Sequence, residues 1–419
     1  MKQLKFVISI GMFLLSLLLI TCDTKNNVEP TFRNYFIRYY GEDGNHEAKD
    51  FVLTNDGGVI IIGTVTVGQS QRLYALKTDL AGNQLWSKTF GSVTNERAQD
   101  IEPIIYGTDA GNFAILSNFV KPAVDSLAMR LTLISTNGDS LKSFTVNIFE
   151  SQEGSSVTPL QNGDYLIAGK VSNADTLNVE LPGVIDREDL LTVRINANLS
   201  SVTEFDRLGR SSEGSNVKIF EAGNYLYTIG YSNESIAGTP AAVEDGPNFF
   251  FRSLGPLPTP DLVIDYAGTA SERQVLRSVS RTSSGLLFAV GDQTDLSDNI
   301  ASSRVFAARA VGTIASVDRS RTIFGSTAQA VAIVSSGSFD QLVILNSIQS
   351  SGQRDIVLLK INIELNEVLR ITFGAVNNDD RGAAVAELPN GDILILGTME
   401  LAGQQDKIAL IKVRANGTF

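Results

Sequence analysis

The strongest constraint on the fold is an apolar run that recurs seven times along the 419-residue chain. Each run follows a short polar or glycine-bearing turn and closes on a small residue. The closing residues are Gly63, Ser117, Gly169, Gly230, Gly291, Asn346 and Gly397. They lie 51 to 61 residues apart. Because the runs are short and rich in β-branched residues, a repeat of this length is typical of a propeller built from small β-sheets.

Each repeat contains four β-type segments. In the first repeat these are AKDFVLT, GVIIIGTV, RLYALKT and QLWSKTFG, separated by Asn-Asp-Gly-Gly and Ala-Gly-Asn turns, which favour hairpins. The outermost segment ends on a small residue in every repeat, at Tyr40-Gly41, Phe90-Gly91, Val146-Asn147, Leu208-Gly209, Ala267-Gly268, Phe324-Gly325 and Phe373-Gly374. The sequence therefore predicts seven four-stranded blades.

The two ends of the repeat region predict how the ring closes. Only 22 residues follow Gly397, too few for a complete last blade, whereas an extra strand, Tyr35–Gly41, precedes the first complete repeat. We expect this strand to pair with Ile408–Arg414, which would leave no long unpaired edge. The prediction is one all-β domain over residues 35–419, a seven-bladed propeller whose N-terminal strand completes the last blade.

Residues 1–21 are typical of an export signal. Two lysines precede an apolar run of 15 residues, which is short for a membrane span and fits a signal peptide. The segment LITC ending at Cys22 resembles the lipobox of bacterial lipoproteins, which implies a lipid on Cys22 and a polar tether over residues 22–34. An uncleaved anchor or an ordinary signal peptide is the alternative. We expect a lipid-anchored protein of the cell envelope, at the outer membrane.

Composition narrows the chemistry that the chain can perform. A net charge of −12 would repel phosphate backbones, so we expect no nucleic-acid partner. The only histidine, His46, lies in the polar segment GEDGNHEAKD and is expected to be a solvated loop residue. With one histidine and one cysteine, neither a Ser-His-Asp nor a Cys-His arrangement nor a zinc site of these residues is supported. The single tryptophan, Trp86, is expected to pack within the outer strand of its blade.

Acidic residues recur where each outer strand connects to the next inner strand. Six of the seven connections carry one: Glu47, Glu96, Glu153, Glu213, Glu272 and Asp380. Because inner strands line the central channel, these residues could form an acidic ring at its mouth that holds Ca²⁺ or an amine. The alternative is a structural role, in which each acid accepts backbone N–H bonds from a neighbouring blade or pairs with a following arginine, as at Arg97, Arg273 and Arg381.

Loop lengths distinguish the two faces of the predicted propeller. The connections between second and third strands are longest over residues 170–189, 231–248 and 292–304. They emerge on the same face as the acidic connections, which we call the long-loop face. The opposite side, made of tight Asn-Gly and Asp-Gly turns, is the turn face. Binding and catalytic residues concentrate on long loops, so the long-loop face of blades 3 to 5 is the predicted working surface.

Several repeat units match a known pattern. The segments DGGVIIIG, LYALKTDLAGNQLWSKTFG, PNGDILILG and LNEVLRITFG resemble the repeats of uncharacterised propeller lipoproteins of Bacteroidota. The resemblance covers residues 35–419. It implies the propeller fold and a place in the cell envelope, and it carries over no catalytic residue.

Two functions remain open from the sequence. The first is a non-catalytic binding or scaffold module, a monomeric propeller that holds an envelope protein, a peptide or a glycan while its lipid keeps it at the membrane. The second is a hydrolase or lyase that acts on glycans through carboxylates at the channel mouth, with Ca²⁺ assisting. We favour the first because the acids repeat with the fold and do not cluster on one side.

Overall fold

The computed structural model describes the chain from residue 34 to residue 419, with internal gaps. The gaps are residues 92–94, 123–125, 173–187, 209–213, 223–224, 233–247, 256–263, 267–271, 283–284, 296–300, 312–313, 325–327, 338–339, 376–377 and 402–404. The predicted signal peptide and Cys22 lie outside the described residues, as does the predicted tether before residue 34. The central parts of the three long connections of blades 3 to 5 also lie outside them.

The described part of the chain forms 28 strands, arranged as seven four-stranded antiparallel sheets. Blade 1 contains β2 (Asn45–Leu53), β3 (Gly58–Val67), β4 (Ser70–Asp79) and β5 (Gln84–Phe90). Blade 2 contains β6 (Glu96–Pro103), β7 (Phe113–Val120), β8 (Leu127–Ile134) and β9 (Ser140–Val146). Blade 3 contains β10 (Gln152–Pro159), β11 (Tyr165–Ser172), β12 (Glu188–Ile195) and β13 (Val202–Leu208). Blade 4 contains β14 (Gly214–Ala222), β15 (Tyr225–Ser232), β16 (Asn248–Gly255) and β17 (Ile264–Tyr266).

The remaining three blades follow the same plan. Blade 5 contains β18 (Glu272–Arg281), β19 (Leu286–Asp295), β20 (Ala301–Val311) and β21 (Ile314–Phe324). Blade 6 contains β22 (Ala328–Ser335), β23 (Gln341–Ile348), β24 (Arg354–Ile361) and β25 (Glu367–Phe373). Blade 7 contains β26 (Arg381–Glu387), β27 (Ile393–Leu401), β28 (Gln405–Val413) and β1 (Phe36–Tyr40). The predicted seven-bladed propeller is therefore confirmed.

The ring closes through its N-terminal strand. In blade 7 the strand order is β1-β28-β27-β26, and β1 runs antiparallel to β28, with Phe36 opposite Lys412 and Tyr40 opposite Ile408. This is the pairing that the sequence predicts. It gives the last blade an outer strand and covers the edge that β28 would otherwise expose.

The hydrophobic core is divided among the seven junctions between neighbouring blades. Each junction holds one cluster of buried apolar side chains. In β3, Ile60 and Ile62 pack toward blade 2, while Ile61 packs toward blade 7. Successive side chains of a strand point to opposite faces, and both faces of a blade are covered. The second strand of each repeat therefore reads as a continuous apolar run.

A β-bulge lies in every inner strand, and beside it five of these runs end on a glycine that a backbone carbonyl approaches closely. The pairing register between first and second strands shifts by one residue in all seven blades. The backbone carbonyl of the inner strand just before the bulge lies close to the closing residue of the second strand. In blade 1, a Cβ on Gly63 would lie 2.3 Å from the Glu47 carbonyl oxygen. One predicted closing residue is wrong. In blade 6 the equivalent position is Leu345, opposite Ala330, and Asn346 lies one residue later.

The residue after the closing position links neighbouring blades. Its side chain accepts a hydrogen bond from the backbone N–H of the next inner strand, beside the bulge. The described bonds run from Ala98 to Thr64 (3.2 Å), Gly154 to Asn118 (2.9 Å), Ala330 to Asp292 (2.7 Å), Gly382 to Asn346 (2.8 Å) and Ala48 to Thr398 (2.9 Å). The bond between Ala48 and Thr398 joins blade 1 to blade 7, so it also seals the closure.

Within the described residues, the structure contains no helix that could cross a membrane.

Candidate functional site

The inner-strand bulges bring side chains from three blades together in the central channel. The residue after each bulge is Asp50, Asp100, Ser156, Lys218, Ser278, Ala332 or Ala384, from blade 1 to blade 7. The Lys218 Nζ of blade 4 lies 3.3 Å from Asp100 Oδ2 of blade 2 and donates to Glu102 Oε1 of the same blade. Blades 2 and 4 are not neighbours, so this contact crosses the channel beside blade 3. We call Asp50, Asp100, Glu102 and Lys218 the channel cluster.

Two carboxyl groups of the channel cluster also hold neighbouring inner strands. Asp50 accepts bonds from Phe51 N (2.8 Å) and from Ile101 N of blade 2 (3.4 Å). Asp100 Oδ2 accepts a bond from Val157 N of blade 3 (2.8 Å). Each acid thus makes a second contact between adjacent blades, with a backbone N–H three residues further along the inner strand than the donor of the first link.

Three residues of the channel cluster, Asp50, Glu102 and Lys218, have raised pKa values. Burial, followed by the charge of Asp100 and a hydrogen bond with it, raises the pKa of Asp50 well above its usual value. Burial also raises the pKa of Glu102, which Lys218 partly offsets. Burial favours the neutral amine of Lys218, but the charges of Asp100 and Glu102 outweigh it and raise the Lys218 pKa. The site therefore favours the neutral form of Asp50 and a charged ammonium on Lys218.

The channel charges lie on one side of the ring. Blades 1, 2 and 4 supply them, whereas blades 5, 6 and 7 place Ser278, Ala332 and Ala384 at the same position. The side chains of Asp100, Glu102 and Lys218 are 11%, 31% and 24% exposed, so part of each faces the channel lumen. Sequence reasoning missed this cluster because it compared acids at the strand entrance, several residues before the bulge.

Of the predicted ring, Glu96 is fully buried inside blade 2. It binds Arg130 Nη1 at 2.8 Å and accepts a bond from Ser117 Oγ at 2.7 Å. Burial raises the Glu96 pKa, and both partners oppose that rise. Its partner is an arginine of the third strand and not the following Arg97, which donates to Gln71 Oε1 at 2.7 Å. Glu96 thus has a structural role within its blade.

Asp380 is also buried and fastens a loop. It accepts bonds from Ala375 N at 2.8 Å and from Glu400 N at 3.2 Å. Burial raises the Asp380 pKa, and these two backbone bonds oppose the rise. The following Arg381 pairs with Asp406. Asp380 therefore holds the entrance of β26 to the end of β27.

The other predicted ring residues do not join Glu96 and Asp380. Glu47 is exposed and Glu153 is half-buried, and both lie one register position further along their strands than Glu96 does. Glu213 lies outside the described residues. The backbone of Glu272 begins β18, and its side chain is outside the described part. The four described side chains thus occupy two positions that point to opposite sides of their strands, and ligand binding by the set stays a prediction.

His46 is not the solvated loop residue that the sequence predicts. The strand β2 already begins at Asn45, and His46 is only 2% exposed. Its ring lies edge-on to Tyr74 at 4.9 Å, and its Nδ1 is 3.2 Å from the Gly44 carbonyl oxygen. Burial lowers the His46 pKa. The prediction failed because β2 begins at Asn45, inside the polar segment, so that His46 already belongs to a strand and faces its buried side.

Two polar clefts open on the long-loop face, on either side of the β3–β4 hairpin. Cleft 1, about 580 Å³, is lined by residues that include Glu42, His46, Val65, Arg72, Tyr74 and Lys88. Cleft 2, about 400 Å³, is lined by residues that include Thr66, Gln71, Asn95, Arg97, Gln99 and Glu153. Because alternate residues of a strand point to opposite faces, neighbouring residues of one hairpin line different clefts.

The described residues do not offer a metal site. No three His, Cys, Asp or Glu side chains among them are arranged to hold a metal ion. In the channel cluster, the ammonium of Lys218 contacts both Asp100 and Glu102 and supplies the positive charge that these acids need. The predicted Ca²⁺ therefore has no described set of ligands.

Comparisons with known proteins support the fold. No protein-family model and no curated protein matches the chain. The polysaccharide lyase Uly1 matches with a TM-score of 0.52 and 9% identity, over 90% of this chain and 91% of that one. An acylaminoacyl peptidase of Pyrococcus horikoshii matches with a TM-score of 0.51 and 9% identity, over 87% of this chain and 51% of that one. At such identities the likeness extends to the fold alone.

Proposed function

We propose that this protein is a lipid-anchored, non-catalytic binding module of the bacterial cell envelope. The lipobox-like segment ending at Cys22 supports the anchor, and the resemblance to propeller lipoproteins points to the same place. The ligand is a polar segment of an envelope glycan, peptide or protein, held on the long-loop face. The observation that carries this proposal is the pair of polar clefts beside the β3–β4 hairpin.

The lining of cleft 2 fits a ligand rich in hydroxyl or amide groups. Gln71, Asn95 and Gln99 carry carboxamides, each of which can donate and accept hydrogen bonds. Arg97 and Glu153 add one charge of each sign. A lining of this kind recognises neutral polar groups through paired hydrogen bonds and does not depend on net charge.

The contacts of the candidate acids favour binding over catalysis. Glu96 is held by Arg130 and Ser117, and Asp380 by two backbone amides. Carboxylates engaged in this way fix the geometry of their blades. A general acid or base must instead reach the substrate atom to which it gives a proton or from which it takes one.

A site-specific photo-crosslinker tests the proposal in the full-length, membrane-inserted protein. We expect a crosslinker at Gln99 to capture an envelope glycan or peptide that a crosslinker at the turn-face residue Gln84 does not. Arg97→Ala should then weaken binding of the captured molecule at least tenfold, while Arg370→Ala, a charge removal on the outer strand of blade 6, should not. Equal capture at both positions, or an unchanged affinity of Arg97→Ala, would refute the proposal.

One observation favours a second candidate function, a carboxylate-based glycan hydrolase or lyase. The pKa of Asp50 is raised beside Asp100, which is the property of a general acid. Asp50 could protonate a glycosidic oxygen while Glu102 activates water or abstracts a proton, with Ca²⁺ assistance remaining a prediction. Release of reducing ends or unsaturated products from envelope polysaccharides, abolished by Asp50→Asn, would establish this function and displace the first.

A further inference from the structure

Exposed apolar side chains gather at the turn face. Four occupy the second position of an outer strand: Ile37, Leu85, Leu141 and Val368, with exposures of 38%, 58%, 45% and 57%. Three more lie in turns on that face: Ile105, Tyr106 and Ile363, with exposures of 69%, 44% and 39%. Outer strands run from the turn face toward the long-loop face, so all seven lie at or near the turn-face rim.

These residues occupy one arc of the ring. They belong to blades 6, 7, 1 and 2, which are consecutive around the propeller. In three of the outer strands the apolar residue, Leu85, Leu141 or Val368, is the extra residue of a β-bulge. A bulge turns an edge strand away from pairing with another strand. The exposed side chains therefore fit contact with a surface and do not fit extension of the sheet.

The chain enters the propeller in the middle of this arc. The first described residues, Asn34 and Tyr35, lead directly into β1 of blade 7 at its turn-face end. A Cβ on Gly82, in a turn of blade 1, would lie 2.7 Å from the Phe36 ring, which places the entry at the junction of blades 7 and 1. Eleven residues lie between Cys22 and Asn34, so the chain between these two residues reaches at most about 40 Å.

Six acidic residues of this face form ion pairs with nearby basic side chains. Basic side chains pair with them in five blades: Lys88 with Asp139 (2.9 Å), Lys142 with Asp109 (2.6 Å), Arg194 with Asp164 (2.8 Å), Lys360 with Asp340 (3.3 Å), Lys412 with Asp392 (3.7 Å), and Lys77 with Asp56. A lipid surface would meet paired charges and apolar side chains.

We propose that the turn-face arc of blades 6, 7, 1 and 2 lies against the lipid surface, with its apolar side chains in the headgroup region. The inference rests on the proposed lipid at Cys22, because that lipid would keep the start of β1, and the arc around it, within the reach of the short tether from the membrane. Tyr106 suits such a position, since aromatic rings with a polar end favour membrane interfaces. Docking on this face leaves both polar clefts directed away from the membrane.

Trp86 provides a direct test. It is the only tryptophan, it follows the exposed Leu85, and its Nε1 donates to the Thr136 carbonyl oxygen in a turn of blade 2 at 3.1 Å. The full-length lipidated protein is inserted into phosphatidylcholine vesicles with or without bromine on the upper acyl carbons. We expect the brominated lipid to quench Trp86 fluorescence by at least twofold. Unchanged fluorescence in the anchored protein would overturn the inference.

A variant pair identifies the contact. Ile105→Gln combined with Leu141→Gln should at least halve the quenching, whereas Val67→Gln, a 59% exposed residue at the long-loop end of β3, should leave it unchanged. Equal quenching in all three proteins would also overturn the inference. Acylation is measured separately with a labelled fatty acid. Absence of the lipid on Cys22 refutes the anchor itself, while a lipidated protein without quenching refutes only the docking.

Discussion

Removing the ammonium of Lys218 should destabilise the propeller by an amount that depends on pH. In Lys218→Met the buried acids of blades 1 and 2 lose the cation that compensates them. Breaking a buried ion pair costs about 3–5 kcal/mol. The side chains of Lys218 and Glu102 are 24% and 31% exposed, so solvent screens part of this charge. We expect a loss of about 2 kcal/mol in the free energy of unfolding at pH 8.

The sign of the pH dependence follows from the raised pKa values. A carboxyl group whose folded pKa lies above its unfolded value contributes most to stability below the unfolded pKa, and this contribution is lost as pH rises through the folded pKa. Asp50 and Glu102 both have raised pKa values, and Lys218 lowers that of Glu102. Without Lys218 the Glu102 pKa rises further, so the penalty should fall to about 1 kcal/mol at pH 5.

Urea denaturation at pH 5 and pH 8 measures this difference. Lys49→Met is the control, because Lys49 is an exposed lysine at the bulge of β2 and its loss should change stability by less than about 0.5 kcal/mol. Adding Glu102→Gln to Lys218→Met should restore part of the stability at pH 8. A penalty equal at the two pH values, or no larger than that of the control, would refute the assignment of a charge-compensating role to Lys218.

Three further substitutions test the fold and the predicted ring. Glu96→Gln should cost about 2 kcal/mol by leaving a buried arginine without its counter-charge, measured by urea denaturation; a neutral result would argue against its structural role. Thr398→Val removes the acceptor of the Ala48 N–H at the ring closure and should lower the free energy of unfolding by about 1–2 kcal/mol. A loss below about 0.5 kcal/mol would contradict the link. Tyr40→Ala, at a 5% exposed site in β1, should lower the free energy of unfolding by about 3 kcal/mol. The control Tyr39→Ala, at a 47% exposed site, should lower it by less than about 0.5 kcal/mol. Equal melting temperatures of the two variants would contradict the closure.

The architecture could be predicted because it depends on local patterns that repeat. The second strands read as apolar runs because neighbouring blades cover both of their faces, and the outer strands end where the sequence indicates, at Tyr40, Phe90 and Phe373 among others. The pairing of β1 with β28 followed from counting segments. None of these inferences requires knowing which side chains meet across the ring.

The candidate site could not be predicted for the same reason. A bulge inserts one residue into each inner strand, and a shift of one residue moves a side chain to the other side of the strand. The sequence comparison grouped acids that lie four to six residues after the outer-strand end, so it joined Glu47 with Glu96 although His46 is the residue that occupies the position of Glu96. The contact between Asp100 and Lys218 spans 118 residues of sequence, and no local pattern relates the two.

The closure at β1 also determines how the protein would bear tension. A pull directed along β1 from its N-terminal end would act across the hydrogen bonds to β28, which lie perpendicular to the strand. The five paired positions from Phe36 to Tyr40 would share such a load at once, in shear, and would not open one after another like a peeled hairpin. If the protein is anchored as proposed, the pairing of β1 with β28 would resist extraction of the propeller from its anchor.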